Sequence, residues 1–528
     1  MTEHGTHDPH RASSELAELT ASEVARLSAA GSISASEVVE QLIARIEALN
    51  LKGPGLRCVI EVSPDALDQA GSLDAERLAG RLRGPLHGVP VLVKDNIDTA
   101  RPLHTTAGSL VFGASSPGAD APLVEALRAA GAIVLGKANL SEWANFRGRP
   151  SSSGWSAAGG QTRNPHALDR TPGGSSAGSG SAVAARLAPL AVGTETDGSI
   201  LCPSAACGVL GLKPTVGLVS RTGIIPISSS QDTAGPMGRS VEDLALMLEV
   251  LAKAVDDGED GAATSAARPP GHEAHYRALL GDGNLAGRRL GVLREGFTGY
   301  HPPADRVFEG ALAALREAGA TIVDPVELPN GPLTSGEDEM TVLTHEIRDG
   351  LEAYLARRAR MSAPDPSSPL PSSVAEIVDH IERTPEERPD LFGVEWLARA
   401  AATGGVAAEA YQQAWQRNRE RSRRNGLDRI FEQVDLVVVP AMTPAWLVDH
   451  VNGDAVVGSG WSPPAVAGYP SASMPMGAVA GLPVGIALWG PAWSEARILA
   501  VMFALERALG RGVTSPVPRF RPSVGDRV

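Results

Sequence analysis

Apolar and polar positions along the chain switch between two periods. Residues 34–50 place Val38, Val39, Leu42, Ile43, Ile46 and Leu49 three or four apart, which predicts a helix with one apolar stripe. Ser34 followed by Glu37 supplies a capping-box pattern at its start. Residues 89–93 (VPVLV) form a short unbroken apolar run, the pattern of a strand buried on both faces, and Lys94 stands at its end. A helix over about 121–130, stopped by Gly131, leads into a strand at 132–136. From 150 to 180 the periodicity is lost to Ser and Gly; a helix of small residues is predicted at about 177–187, then APLAVG and a Gly-flanked turn at 194–199.

The second half repeats the alternation. Helix 240–253 takes Ser240 as its cap, and a β-α-β pattern occupies about 289–328. A polar, arginine-rich helix covers about 405–432, the strand DLVVVP follows at 435–440, and the chain returns through strand 482–490 to helix 494–509. Residues 1–14 read as a disordered tail whose His4, His7 and His10 are solvated. Residues 15–515 read as one domain, with surface insertions at about 255–285 and 362–390. Strands alternating with helices, without an internal repeat, argue an α/β fold: a large mixed β-sheet covered on both faces by helices.

Composition narrows the class. The 528 residues carry 47 basic and 61 acidic side chains, a net charge of −14. Such a chain repels phosphate backbones, so no nucleic-acid partner is expected. No apolar run reaches the roughly 18 residues of a membrane span, so no membrane partner is expected either. Cys58, Cys202 and Cys207 form no disulfide framework and no CxxC pair, and the N-terminus lacks a signal-peptide pattern; a cytoplasmic location is the expectation. Only five of the cations are lysines: Lys52, Lys94, Lys137, Lys213 and Lys253. Where arginine is the default cation, a retained lysine suits a site that needs an amine able to lose its proton, which a guanidinium cannot do.

Two Gly/Ser segments carry the candidate chemistry: Pro172-Gly173-Gly174-Ser175-Ser176-Ala177-Gly178-Ser179 and Gly193-Thr194-Glu195-Thr196-Asp197-Gly198-Ser199-Ile200. As flexible linkers they would sit in longer polar stretches, but each is flanked closely by apolar, element-like sequence. Gly174 to Gly178 matches the G-x-S-x-G elbow centred on Ser176, which requires a preceding strand and a histidine near the chain end. The residues before it are not strand-like, and the last histidine is His450. The other reading needs no histidine: a serine activated by a lysine amine whose pKa burial has lowered. Lys94, at the end of an apolar strand, is placed for that; a strand-end lysine reaching into solvent is the alternative.

PLHGVPVLVKDNID, PGGSSAGS, and GTETDGSI with CPSAACGVLGLKPTVG behind it together resemble the amidase signature family, in the family's order and with its 24-residue interval from Ser175 to Ser199. The likeness runs over about 15–510 and is strongest over 85–245. It implies the amidase signature fold and hydrolysis of carboxamides without metal or other cofactor. Ser199 would be the nucleophile, Ser175 the relay behind a cis Gly174–Ser175 bond, and Lys94 the base. The N–H groups of Thr196, Asp197, Gly198 and Ser199 would line the oxyanion hole. Glu195, Asp197 and Leu201 depart from the family's common GTDxGGSxR and so lose its Asp–Arg pairing. Together with KANLSEWANFRG, GGQTRNP and GLVSRTGIIPISSSQDTAGPM, they resemble the branch that removes ammonia from the C-terminal carboxamide of peptides. A broad acylamidase on aliphatic or aryl amides, and the amidase component of a tRNA-dependent amidotransferase complex, share these motifs.

The resemblance places the loop with Trp143, Asn145 and Phe146 near the substrate, with Ser176 as a further contact; packing onto the core is the alternative for the aromatics. Trp461 and Tyr469 read as core that could shape a channel. Cys202 and Cys207 read as small buried hydrophobes, Lys213 as a structural donor, and His87 and His104 as bystanders. A small-molecule or peptide amide is the expected partner, acted on by a monomer or homodimer.

Overall fold

The computed structural model describes residues 16–113, 115–254, 275–332, 336–362 and 369–524. The expected tail at 1–14 and residues 255–274 of the insertion expected at about 255–285 lie outside them. Eleven strands form one sheet: β1 (Val59–Val62), β2 (Pro90–Lys94), β3 (Ile133–Ala138), β4 (Leu190–Glu195), β5 (Leu210–Lys213), β6 (Thr233–Gly238), β7 (Arg289–Leu293), β8 (Thr321–Val326), β9 (Leu436–Pro440), β10 (Ser471–Val479) and β11 (Leu482–Trp489). Their order is β1-β3-β2-β4-β6-β5-β10-β11-β9-β7-β8. The sheet is mixed: β2 runs parallel to β3 and β4, and β7 to β8 and β9, whereas β10 is antiparallel to both β5 and β11. Every residue of β2, β3, β4, β9 and β11 is buried, which is why these strands read as unbroken apolar runs rather than alternating ones. At the edge, β8 is largely exposed and accommodates Pro325.

The predicted cap on the first long helix is present: Ser34 Oγ accepts from Glu37 N at 3.1 Å while Glu37 Oε2 accepts from Ser34 N at 2.8 Å. That helix holds its α-pitch only over Ala35–Ile46 and widens over Glu47–Leu51, where Asn50 turns its amide onto Cys58 N and Val59 O. The arginine-rich segment is likewise not one helix. Helix Glu409–Arg419 passes into a wide turn, and Gly426, with φ −136° and ψ −111°, breaks the helical path before Asp428–Phe431.

A second apolar cluster sits apart from the main core. Helix Glu337–Met361 brings Leu343, Ile347 and Leu351 against Val374, Ile377 and Ile381 of helix Val374–Arg383. The stretch 362–390 is therefore not wholly a surface insertion: its helix buries an apolar face, and Glu387 is fully buried where the sequence reads only polarity. In 255–285, Tyr276 and Leu285 also point into the core.

Arg147 ties the loop that follows β3 to the segment that follows helix Val374–Arg383. Its guanidinium lies 2.5 Å from Glu142 Oε1 and 3.5 Å from Glu387 Oε2, and donates to Phe392 O at 3.0 Å, with all three charged side chains buried. Burial, reinforced by the Glu387 charge, pushes the Glu142 carboxyl well above the ordinary range. Removing the cation leaves buried acids uncompensated, so Arg147→Met is expected to cost about 3–5 kcal/mol, read as a fall in the thermal unfolding midpoint. An unchanged midpoint would show that this cluster does not hold the two segments together.

Candidate active site

Lys94 is the last residue of β2, and Thr194 and Glu195 are the last of β4, so both parallel strands deliver polar groups at their carboxyl ends. The Lys94 side chain is fully buried, with Nζ 2.8 Å from Ser175 Oγ, 2.8 Å from Thr194 Oγ1 and 3.2 Å from Thr194 O. All three partners are neutral, and Lys94 forms no ion pair among the described residues. Burial lowers its pKa to about 7, opposed by the more distant charges of Asp232 and Glu195.

The Gly/Ser segments meet beside this amine. The Gly174–Ser175 peptide bond is cis. Ser175 O accepts from Ser141 N at 3.0 Å, and Ser176 N donates to Ser199 O at 3.1 Å. Ser176 Oγ is spent internally, donating to Thr194 O at 3.0 Å and accepting from Thr194 N at 3.2 Å. Three acceptors shape the 194–199 turn. Glu195 Oε2 takes the amides of Ile200 at 2.7 Å and Leu201 at 3.0 Å. Asp232 Oδ1 takes Thr196 Oγ1 at 2.5 Å, and Gly198 O takes Cys202 N at 2.8 Å. Gly198 sits at φ +80°, and a Cβ there would stand 2.5 Å from Trp461 Nε1, so the position admits only glycine. Burial raises Asp232 to about 6.

The turn opens onto a cavity of about 780 Å³. Gly174, Thr196, Asp197, Gly198 and Ser199 line its floor, and Phe146, Tyr300, Trp396, Trp446 and Trp461 give its walls an aromatic character. Asn145 and Phe146 line this cavity, while Trp143 and Ser176 do not. Trp143, Ala144 and Asn145 have φ of 51°, 51° and 72°, three consecutive left-handed residues. That turn tucks Trp143 beneath the loop, 5.9 Å from Phe112 in the second cluster. Ser176 is fully buried between the two Gly/Ser segments.

Trp461 reaches the cavity; Tyr469 instead packs on Phe431 and donates to Asp428 at 2.5 Å. Cys202 lines the cavity with its thiol pushed by burial up to about 12. His87 bonds Leu73 O and Arg83 N, His104 bonds Glu61, and Lys213 donates to Pro214 O, so each is committed away from Lys94. Sequence reasoning missed Glu339, Asp454 and Asp232. Only Asp232 had a signal, in SSSQDTAGPM. No group of three or more His, Cys, Asp or Glu among the described residues is arranged to hold a metal, and no described helix is long and apolar enough to cross a membrane.

A family model described as Amidase matches residues 37–499. A peptide amidase from Stenotrophomonas maltophilia, solved at 1.4 Å, is 45% identical with a TM-score of 0.87, covering 95% of this chain and 99% of that one. A probable amidase of Arabidopsis thaliana is 37% identical over 88% of this chain and 85% of its own length. A glutamyl-tRNA(Gln) amidotransferase component from Symbiobacterium thermophilum is 38% identical over 93% of this chain and 96% of its own.

The setting of Lys94 is directly measurable. With only five lysines to resolve, NMR of lysine-labelled protein is expected to show one amine titrating at about 7 and lost in Lys94→Ala. A Lys94 resonance titrating at the ordinary value near 10.4 would contradict the burial described here.

Proposed function

This chain belongs to the amidase family, and from that premise we propose that it hydrolyses the C-terminal carboxamide of peptides through Ser199, Ser175 and Lys94. The observation that carries the reading is the buried Lys94 amine in contact with Ser175 Oγ at 2.8 Å, beside a turn that presents Ser199 to the cavity. A neutral amine has two N–H groups and one lone pair. Thr194 O can only accept, and the two lone pairs of Thr194 Oγ1 can accept from Lys94 as well as from Asn96 Nδ2 at 3.0 Å. Directing both N–H groups to Thr194 leaves the lone pair for the Ser175 hydroxyl.

The steps then balance. Ser199 Oγ attacks the amide carbon as its proton passes to Ser175 Oγ, whose own proton passes to Lys94 Nζ. The negative charge formed on the carbonyl oxygen falls to the N–H groups of 196–199, held in place by the Glu195 and Asp232 contacts. An oxyanion donor of this kind contributes about 10²–10³ in rate. Collapse breaks the C–N bond, the relay returns the proton to nitrogen, and ammonia leaves. Water then opens the acyl-enzyme by the same relay, giving the acid. A peptide substrate is supported by the 45% identity to the peptide amidase and by a cavity far larger than a simple aliphatic amide needs.

Ammonia release tests this. An N-acetylated peptide amide is expected to be turned over, with anilides and free glutamine poor by comparison, and Ser199→Ala is expected to lose at least about 10³-fold. Protonated Lys94 cannot accept, so kcat/KM is expected to fall toward tenfold per unit as pH drops below about 7. Preference for anilides or free glutamine, or a flat profile to pH 5, would overturn the proposal.

A further inference from the structure

Two carboxyl groups lining the cavity have no part in the relay. Asp197 stands two residues before Ser199 on the same turn, and Glu339 comes from helix Glu337–Met361, whose Leu343 belongs to the second core and also lines the cavity. Glu339 is only 3% exposed, yet the protein supplies few donors to this pair. Gln231 Nε2 donates to Glu339 Oε1 at 3.1 Å, and the Ser462 hydroxyl reaches Asp197. Glu339 Oε2 and Asp197 Oδ1 are buried without a donor from any other described side chain, and the two carboxyls hydrogen-bond to each other. Two carboxyls have room for many more hydrogen bonds than this, and a buried acceptor left unmade costs free energy. The two groups interact with each other. Burial raises both pKa values, Asp197 the further because the Glu339 charge adds to burial. The pair therefore holds its protons more tightly than free carboxyls do, and any charge it carries is negative. The remaining charge on the wall does not offset it: Asp454 is a third carboxyl, occupied by Ser153 and Trp446, and Arg149 is exposed and stacked over Trp396 at 4.8 Å.

We propose that Asp197 and Glu339 form a donor-poor carboxyl pair that accepts the N–H groups of a primary carboxamide held at Ser199 and rejects a carboxylate in the same place. The inference rests on the reading of Ser199 as the nucleophile. A primary amide brings two N–H donors to a wall that lacks them. The acid it becomes brings none and carries a like charge. The pair therefore separates substrate from product after the chemistry, favouring release of the acid and refusing peptides that already end in a carboxylate. Its role is specificity, since the relay of protons runs through Ser175 and Lys94.

The test uses the full chain carrying Ser199→Ala, so that substrate binds without turnover. Calorimetry compares one N-acetylated peptide as its amide and as its acid; acetylation removes any substrate ammonium. The amide is expected to bind at least about tenfold more tightly, because like charges brought together in an interface are costly. Adding Glu339→Gln, or separately Asp197→Asn, is expected to close most of that gap by tightening the acid. A merely structural role for either residue would weaken both ligands, and a poorly folded variant cannot tighten one. Discrimination that survives in both variants, equal loss of both ligands, or discrimination seen only with free-amine peptides would overturn the pair's role. Ammonia release by the wild-type chain separates the two failures. If the same peptide amide is not hydrolysed, the reading of the site itself falls; if it is hydrolysed and the binding ratio does not move, only this inference falls.

Discussion

The architecture depends on keeping one amine out of water without giving it a counter-charge. An ammonium buried beside a carboxylate stays charged, and a charged lysine is no base. Lys94 meets a serine hydroxyl, a threonine hydroxyl and a peptide carbonyl, and burial alone brings it to about 7. Two other lysines of this arginine-rich chain are equally buried and make the contrast. Lys137 has Asp95 at 3.9 Å, and Lys213 feels Glu495 and Asp197 besides the Glu195 that also acts on Lys94; burial lowers each to about 8, against about 7 for Lys94. All three sit where an arginine could not discharge, which gives the scarcity of lysine a physical meaning. Only Lys94 has a serine hydroxyl as a partner.

The rest of the fold serves that placement. Two parallel strands end side by side, one contributing the amine and the other its acceptors. The turn after β4 is held by acceptors on both sides, Glu195 gripping the amides of Ile200 and Leu201 and Asp232 gripping Thr196. Glu195 and Leu201 replace the Asp and Arg common in the family, and Glu195 acts here by capping the amides of Ile200 and Leu201 that follow the 194–199 turn. Above this floor, the second apolar cluster supplies part of the cavity wall, and the buried Arg147 bridge links the loop bearing Asn145 and Phe146 to Glu387.

Local chemistry was legible in the sequence. The VPVLV run and the Ser34–Glu37 capping box each state their structure within a few residues and so marked elements of the fold and Lys94 at a strand end; Ser175 and Ser199 were expected from the family resemblance of the Gly/Ser segments. What was not legible is set by distant segments. Glu339 and Asp454 reach the cavity from 140 or more residues beyond Ser199, and nothing near either in sequence marks it. Trp143 read as a cleft aromatic, but three left-handed residues turn it under its own loop. Ser176 read as a contact, but both roles of its hydroxyl are taken by Thr194. Glu387 lies in a polar stretch, and its burial follows from an arginine 240 residues away.

Whether Lys94 makes Ser199 nucleophilic is read most directly from the rate at which a fluorophosphonate modifies the protein, followed by intact mass and peptide mapping. This reagent reports the nucleophile alone, independent of which amide the cavity prefers. One adduct is expected, on Ser199, formed about 10²–10⁴-fold more slowly in Lys94→Met. An adduct on another residue, or a Lys94→Met protein modified at the native rate, would contradict that role for the buried amine.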